Sequence, residues 1–174
     1  FITFLVTKLN PENAHRVTLF ALKIGFHPRL NKVKITTKIN DLIFSNLLGV
    51  AAGFDKNAQI IQNIHYLNFG FMEVGTITPL PQYGNPKPRV FRLKKDQGII
   101  NRNGFNNLGM IEAKKKLDRY RKDFPIGSGF VLGINIGPNK DSKDRFDDYE
   151  ILSKNLSEFS DYISINISSP NTPN

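Results

Sequence analysis

The sequence predicts an α/β protein: the N-terminal portion, about half, of a TIM-type (β/α)8 barrel, preceded by a small helical extension. Three observations point there. From residue 42 onward, short apolar runs alternate with stretches of helical periodicity, and that alternation builds a parallel sheet. Two of the runs share a signature, GINIGPN at 133–139 and SINISSPN at 164–171, with Asn135 and Asn166 standing 31 residues apart, close to one strand-plus-helix unit. The 174 residues hold four such units, whereas a closed barrel needs eight and about 250 residues. A half barrel leaves two open edges, so a C-terminal portion is expected beyond this sequence.

The elements follow in order. Residues 1–28 read as helices broken near Asn10-Pro11, with Pro in the first turn of the second. Ala14, Val17, Ala21 and Ile24 recur at helical spacing there, and Leu19, Phe20 and Leu22 widen the apolar face. Residues 32–40 are basic and suit a linker or a short edge strand. The first barrel strand is expected over 47–52, the next over 69–77, with a helix over 58–67 between them. A helix over 107–123 precedes a strand over 130–136. A helix over 144–159, with Phe146, Tyr149, Leu152, Leu156 and Phe159 as its buried stripe, precedes a strand over 162–167. The domain reading is therefore a helical extension over 1–40 and the barrel half over 41–174.

Composition narrows the function classes. There is no Cys, so disulfides, thiolate nucleophiles and Cys-ligated metals are excluded within this chain. His15, His27 and His65 show no metal-ligand spacing and read as surface or capping residues. The net charge is +9, and the first 40 residues carry seven basic side chains against Glu12 alone, so most of the excess sits at the start. Such a basic start suits an anionic surface, lipid or nucleic acid; the alternative is a solvated face. No apolar run approaches the roughly 18 residues needed to span a bilayer.

Four segments carry candidate chemistry. AAGFDKN (51–57) ends a strand in small residues, which lets a backbone approach a flat ring, and Lys56 adds a charge at the mouth. The alternative is an ordinary turn with Asp55 as a cap. VGTITP (74–79) puts Gly75 and Thr76 at a strand end, which simple strand termination also explains. The connection 79–105 is long for a compact domain, and long ordered loops are usually functional. It contains a small hairpin, 90–93 with 99–101, and leaves through NRNGFNN (101–107), whose amides suit a neutral, planar, polar ligand or merely form turns. NISSPNTP (166–173) gathers hydroxyls and amides on a Pro-stiffened loop, with no His nearby to support a Ser-His-Asp triad. Because strand side chains alternate, Asn135 and Asn166 should face the barrel interior and their Ile neighbours the helices. The alternative is two turn-forming Asn.

Taken together, the segments resemble dihydroorotate dehydrogenase of the membrane-associated, quinone-reducing class (class 2). The matching stretches are LGVAAGFDKN (48–57), FMEVGTITPLPQYGNPKPRVFRL (71–93), IINRNGFNNLG (99–109), LGINIGPNKD (132–141) and DYISINISSPNTP (161–173); LNPENAH (9–15) is similar to that class's helical extension. The match departs at Asn174, where the family loop continues with Gly. The resemblance implies that Ala52, Gly53, Phe54, Asp55, Lys56, Thr76, Asn135 and Asn166 contact FMN. It implies that Lys56, Asn101, Arg102, Asn103, Gly104, Phe105, Asn166 and Asn171 hold the dihydroorotate or orotate ring. Ser169 would be the catalytic base, taking a proton from C5 while hydride leaves C6 for the flavin, and a quinone would receive the electrons. Thr172 is a candidate proton relay. The soluble classes use Cys as base, and its absence here fits the membrane class. The basic, apolar extension then becomes a peripheral membrane anchor and quinone entrance, on a bacterial or mitochondrial inner membrane. The alternatives are another FMN-dependent barrel oxidoreductase, or a non-catalytic half barrel that needs a complementing chain.

Overall fold

A computed structural model describes residues 6–28, 30 and 35–167. Ser169, Asn171 and Thr172, the expected base, substrate contact and relay, lie outside the described residues.

Helix α1, Pro11–Lys23, starts as expected: the Asn10 side-chain oxygen accepts from the Glu12 N–H at 3.1 Å, and Pro11 fills a first-turn position where no N–H is needed. Glu12 in the first turn and Lys23 in the last complement the helix dipole. Its apolar stripe is not buried as a whole. Ala14 is buried and Leu19 and Leu22 pack partly against the core, but Phe20 and Ile24 are each 64% exposed. The helix is apolar on two sides and docks by one.

A small antiparallel hairpin follows, β1 (Thr37–Ile39) with β2 (Leu42–Phe44). Asn40 turns it with φ 51, a conformation Asn tolerates. The hairpin straddles the expected boundary at residue 40.

The main sheet has four parallel strands, β3 (Gly49–Val50), β4 (Phe71–Ile77), β7 (Val131–Ile136) and β8 (Tyr162–Ile165), each hydrogen-bonded to the next in chain order. Sequential order is that of a barrel wall; a doubly wound sheet reverses order partway. Helices α2 (Ile61–Tyr66), α3 (Met110–Asp123) and α4 (Arg145–Leu156) connect them, α4 running into a 3-10 turn, Ser157–Phe159. Between β4 and α3 the long connection forms the expected hairpin, β5 (Val90–Leu93) with β6 (Gly98–Asn101).

Alternation sorts the sheet's two faces. Met72, Val74, Leu132, Ile134 and Ile136 point to the helices and are fully buried against Ile64, Leu117, Leu152 and Leu156. Each such side chain contributes about 1.5–3 kcal/mol on leaving water. At the base of the sheet Arg121 on α3 pairs with Asp161 at 2.7 Å, and the same carboxylate oxygen accepts the Leu132 N–H, so helix and two strands share one anion.

Several boundaries differ from expectation. The first strand narrows to Gly49–Val50 because the chain leaves the sheet early to build a loop around Asp55. The helix expected from 58 begins at Ile61, since Ala58 sits at φ 54 inside that loop. The helix expected from 107 begins at Met110: Asn107 is bridged to Gln82, and Gly109 at φ 82 turns the chain. Phe146 is 86% exposed and does not belong to the buried stripe of α4. His65 is a core-facing residue, its ring stacked on Phe130 at 4.8 Å.

Candidate functional site

The loop after β3 is organised by Asp55. Its buried carboxylate accepts backbone N–H bonds from Asn57 (3.1 Å), Gln59 (2.6 Å) and Ile60 (2.8 Å). Burial pushes this carboxyl up, and the three N–H groups oppose that. Its side chain thus holds the loop's shape. The shape presents Ala52 and Gly53 at the strand end, with Gly53 at φ 94 facing open space. Backbone bonds tie the loop to the next strand: Gly53 N to Gly75 O at 2.7 Å and Gly75 N to Asp55 O at 2.9 Å. Lys56 donates to Gly53 O at 2.6 Å. Burial, and then the Arg89 guanidinium, hold this ammonium below the usual lysine range. His15 of α1 lies across the same loop, 2.6 Å from Phe54 O and edge-on to the Phe54 ring. Burial lowers its pKa as well, followed by the charge on Lys56.

Beside this loop, the sheet face away from the helices is polar. Thr76 donates to Asn135 Oδ1 at 2.5 Å, and Asn166 Nδ2 donates to Thr76 Oγ1 at 3.1 Å and to Asn135 Oδ1 at 3.3 Å. The expectation that Asn135 and Asn166 share this face is met, and Thr76 joins them. Asn135 Nδ2 donates to Glu73 at 2.8 Å and to Ser164 at 3.2 Å. Tyr162 donates to the other Glu73 oxygen at 3.1 Å, and burial followed by the Glu73 charge pushes its phenol up. Asn166 is held through its backbone too, its N–H on Ile136 O and its carbonyl accepting from Tyr149.

The amide-rich exit of the long connection divides. Asn101 and Asn103, hydrogen-bonded to each other, line a cleft with Gly53, Phe54, Lys56 and Asn57. Gly104 is buried at φ 68 with its carbonyl on Gln82, and the Phe105 ring packs where a side chain at Gly137 would stand, next to Thr76. Arg102 goes elsewhere: its guanidinium bonds Pro88 O and lies 6.0 Å over Phe91 on the hairpin. Asn107 is structural, with its amide spent on Thr78, Phe105 and Gly109.

The cleft measures about 1030 Å3 and runs between α1 and the strand ends. Its lining carries Arg16, Lys23, Lys56, Lys87, Arg89 and Arg92 against Glu12, so it is strongly cationic. Arg89 is buried, grips Glu12 through two nitrogens (2.6 and 3.3 Å) and bonds Tyr83 O and Asn85 O. One residue thereby fastens the extension to the connection loop. Sequence reading missed Arg89, Glu73 and Tyr162. A charge inside an apolar run, as in FMEVGTI, was the available signal for Glu73.

Among known proteins, a family model described as dihydroorotate dehydrogenase matches residues 34–174. Curated relatives named dihydroorotate dehydrogenase (quinone) include one from Bartonella henselae, 47% identical over 95% of this chain and 44% of its own length. Another, from Erythrobacter litoralis, is 47% identical over 95% of this chain and 47% of its own. A crystal structure described as DHODH in complex with ferulenol, from Eimeria tenella, superposes with a TM-score of 0.88 at 44% identity, covering 93% of this chain and 45% of that one. The chain thus spans a little under half the length of these relatives.

Proposed function

Since the chain belongs to the dihydroorotate dehydrogenase family, we propose that it supplies the first half of a site oxidising dihydroorotate to orotate, with FMN as cofactor and a quinone as electron acceptor. One observation carries this reading. Thr76, Asn135 and Asn166 converge at the strand ends, beside a loop that places Gly53 and a half-buried Lys56 at the rim of a cationic cleft.

The residues present fit a flat, polar, anionic ring system. Ala51, Ala52 and Gly53 put nothing larger than a methyl over the end of β3, and Gly53 faces open space. Bound FMN would supply the hydride acceptor. Lys56, short of water, offers its charge to negative charge building on the bound ring more strongly than a solvated lysine could. Asn101 and Asn103 offer amides to the edges of a pyrimidine, and the cleft cations favour a carboxylate. Ser169, as the base, would remove the C5 proton as hydride leaves C6, so that one proton and one hydride depart and the C5–C6 double bond forms. Asn171 would hold the substrate from the same loop.

The quinone would enter along α1. Val17, Phe20, Ile24 and Phe26 are exposed, with Arg16 and Lys23 beside them, a surface suited to lie on an anionic bilayer. No helix among the described residues is long and apolar enough to cross a membrane. A second reading, a non-catalytic half barrel, is favoured by the half-exposed polar face of the sheet.

Addition of FMN separates the two. Quenched flavin fluorescence and a yellow protein after gel filtration support the first reading; a colourless protein and unquenched flavin reject cofactor binding by this chain. In the protein that binds FMN, Ser169→Ala should leave the flavin bound but abolish its bleaching by dihydroorotate. Retained bleaching would sink the base assignment.

A further inference from the structure

We propose that Glu73 is a positioning residue that sets the direction of the hydrogen-bond chain through Asn135 and Thr76, so that Asn166 turns its carbonyl oxygen, not its NH2, toward a ligand at the mouth. The proposal rests on the reading of this face as the ligand site, and it names the ligand chemistry there: a ring N–H donor.

Amide groups have no direction of their own; O and NH2 exchange places by a half-turn. A carboxylate does have one, because an ionised carboxylate only accepts. Glu73 sits at the closed end of the chain. Its Oε1 is 2.8 Å from Asn135 Nδ2 and its Oε2 is 3.1 Å from the Tyr162 hydroxyl. Asn135 must therefore turn its NH2 to Glu73 and its Oδ1 the other way. That oxygen receives the Thr76 hydroxyl at 2.5 Å. With its proton spent there, Thr76 can only accept from Asn166, and Asn166 Nδ2 lies 3.1 Å away. The Asn166 amide nitrogen also reaches Asn135 Oδ1 at 3.3 Å. Among the described residues no donor meets the Asn166 side-chain oxygen, which is left to accept one step from the mouth.

The backbone is shaped to allow this. Glu73 and Tyr162 are on β4 and β8, with β7 between them. The Tyr162 hydroxyl crosses β7 above Gly133, where an added Cβ would collide with the tyrosine ring. Any side chain at 133 would break the reach. Gly75 has a similar role nearer the mouth, where an added Cβ would collide with the Asn135 carbonyl oxygen.

Glu73→Gln keeps the shape and removes the direction. If the new amide accepts from Tyr162 through its oxygen, its NH2 faces Asn135, the Asn135 amide turns over, and the reversal passes through Thr76 to Asn166. Adding Asn135→Asp moves the acceptor-only group one place along. The carboxylate then standing at position 135 can accept from the amide at position 73, from Thr76 and from Asn166 together, which restores the direction at unchanged total charge.

The test follows the Asn166 side-chain NH2 by 15N-edited proton exchange in the full chain, and orotate affinity by perturbation of the flavin spectrum in the FMN-loaded protein. In Glu73→Gln, Asn166 NH2 protection should fall at least tenfold and the orotate Kd rise at least tenfold. In Glu73→Gln with Asn135→Asp, the Asn166 NH2 protection should recover to within about threefold of the unaltered protein. Unchanged protection in Glu73→Gln overturns the proposal, and so does a double variant that stays as impaired as the single one. Protection that falls and recovers as stated, in a chain that binds neither FMN nor orotate, upholds the role of Glu73 and overturns the functional reading alone.

Discussion

Lys56 is a cation held against its own solvation. The bond its ammonium makes is to a neutral carbonyl, Gly53 O, and burial and Arg89 both act to lower its pKa from 10.5. An unfolded chain returns this group to water and to its ordinary pKa. Between the lowered folded value and 10.5 the unfolded chain therefore holds more protons, so stability rises with pH across that window. Below the folded value both states carry the charge, and the full cost of burying it is present. Lys56→Met should raise the thermal midpoint at pH 7 by about 2–4 °C, the shift that ~1 kcal/mol produces in a chain of this size. The gain should shrink as the pH approaches 10. Melting curves of both proteins at pH 7 and pH 10 check this; a midpoint that falls at pH 7, or a gain independent of pH, contradicts it.

At the level of elements, polar contacts that fasten α1 and the residues just before it to the rest of the chain include Glu12 to Arg89 and Lys87, His15 to Phe54 O, and Arg92 of β5 to Thr7 O and Leu9 O. Arg89 is 6% exposed, so removing Glu12 leaves a buried guanidinium to the neutral carbonyls of Tyr83 and Asn85, a loss of about 3 kcal/mol by analogy with other broken buried pairs. The Arg89 guanidinium also holds the Glu12 carboxyl below 4.5. A lowered folded value means that the stabilisation is fully present above 4.5 and is lost as the pH falls through the folded pKa. Glu12→Ala should therefore release α1 while the sheet survives. Hydrogen exchange would show α1 amides losing protection with β4 and β7 unchanged; equal loss in the sheet would mean that the pair holds the whole fold. This fastening was not legible in sequence, because Glu12 and Arg89 are 77 residues apart and each reads as a surface charge. Periodicity did reveal the parallel sheet, the hairpin and the shared face of Asn135 and Asn166. It erred where loop chemistry overrides apolar pattern. Residues 58–60 look helical, yet the Asp55 carboxylate takes the Gln59 and Ile60 N–H groups and holds that stretch as a loop. Phe146 has the spacing of a core residue, but its position in the first turn of α4 leaves it in solvent.

Across the whole molecule the two faces of the sheet are unequal. On the helix side Met72, Val74, Leu132 and Ile134 are at 0% exposure, whereas on the other face Glu73, Tyr162, Ser164 and Asn166 are only half-buried. The outer edges of β3 and β8 pair with no other strand among the described residues, and Ile165 and Ile167 near the second edge are 55% and 79% exposed. Unpaired parallel edges beside exposed isoleucines invite association, and a barrel removes them only by closing. The relatives are about twice as long, so a complementary half of this family is available as a probe: the portion of the Bartonella henselae relative that this chain does not match. Mixing the two polypeptides should give a 1:1 complex in light scattering. The chain alone should bind an apolar dye and self-associate with rising concentration, and the complex should do neither. The polar face would then be enclosed and water excluded from the Glu73–Asn166 chain, so Asn166 NH2 exchange should slow further and FMN should bind at least tenfold tighter than to the chain alone. If dye binding persists and no complex forms, this sheet is not a barrel wall awaiting its other half. A complex that forms without tightening FMN would place the principal cofactor contacts on this chain.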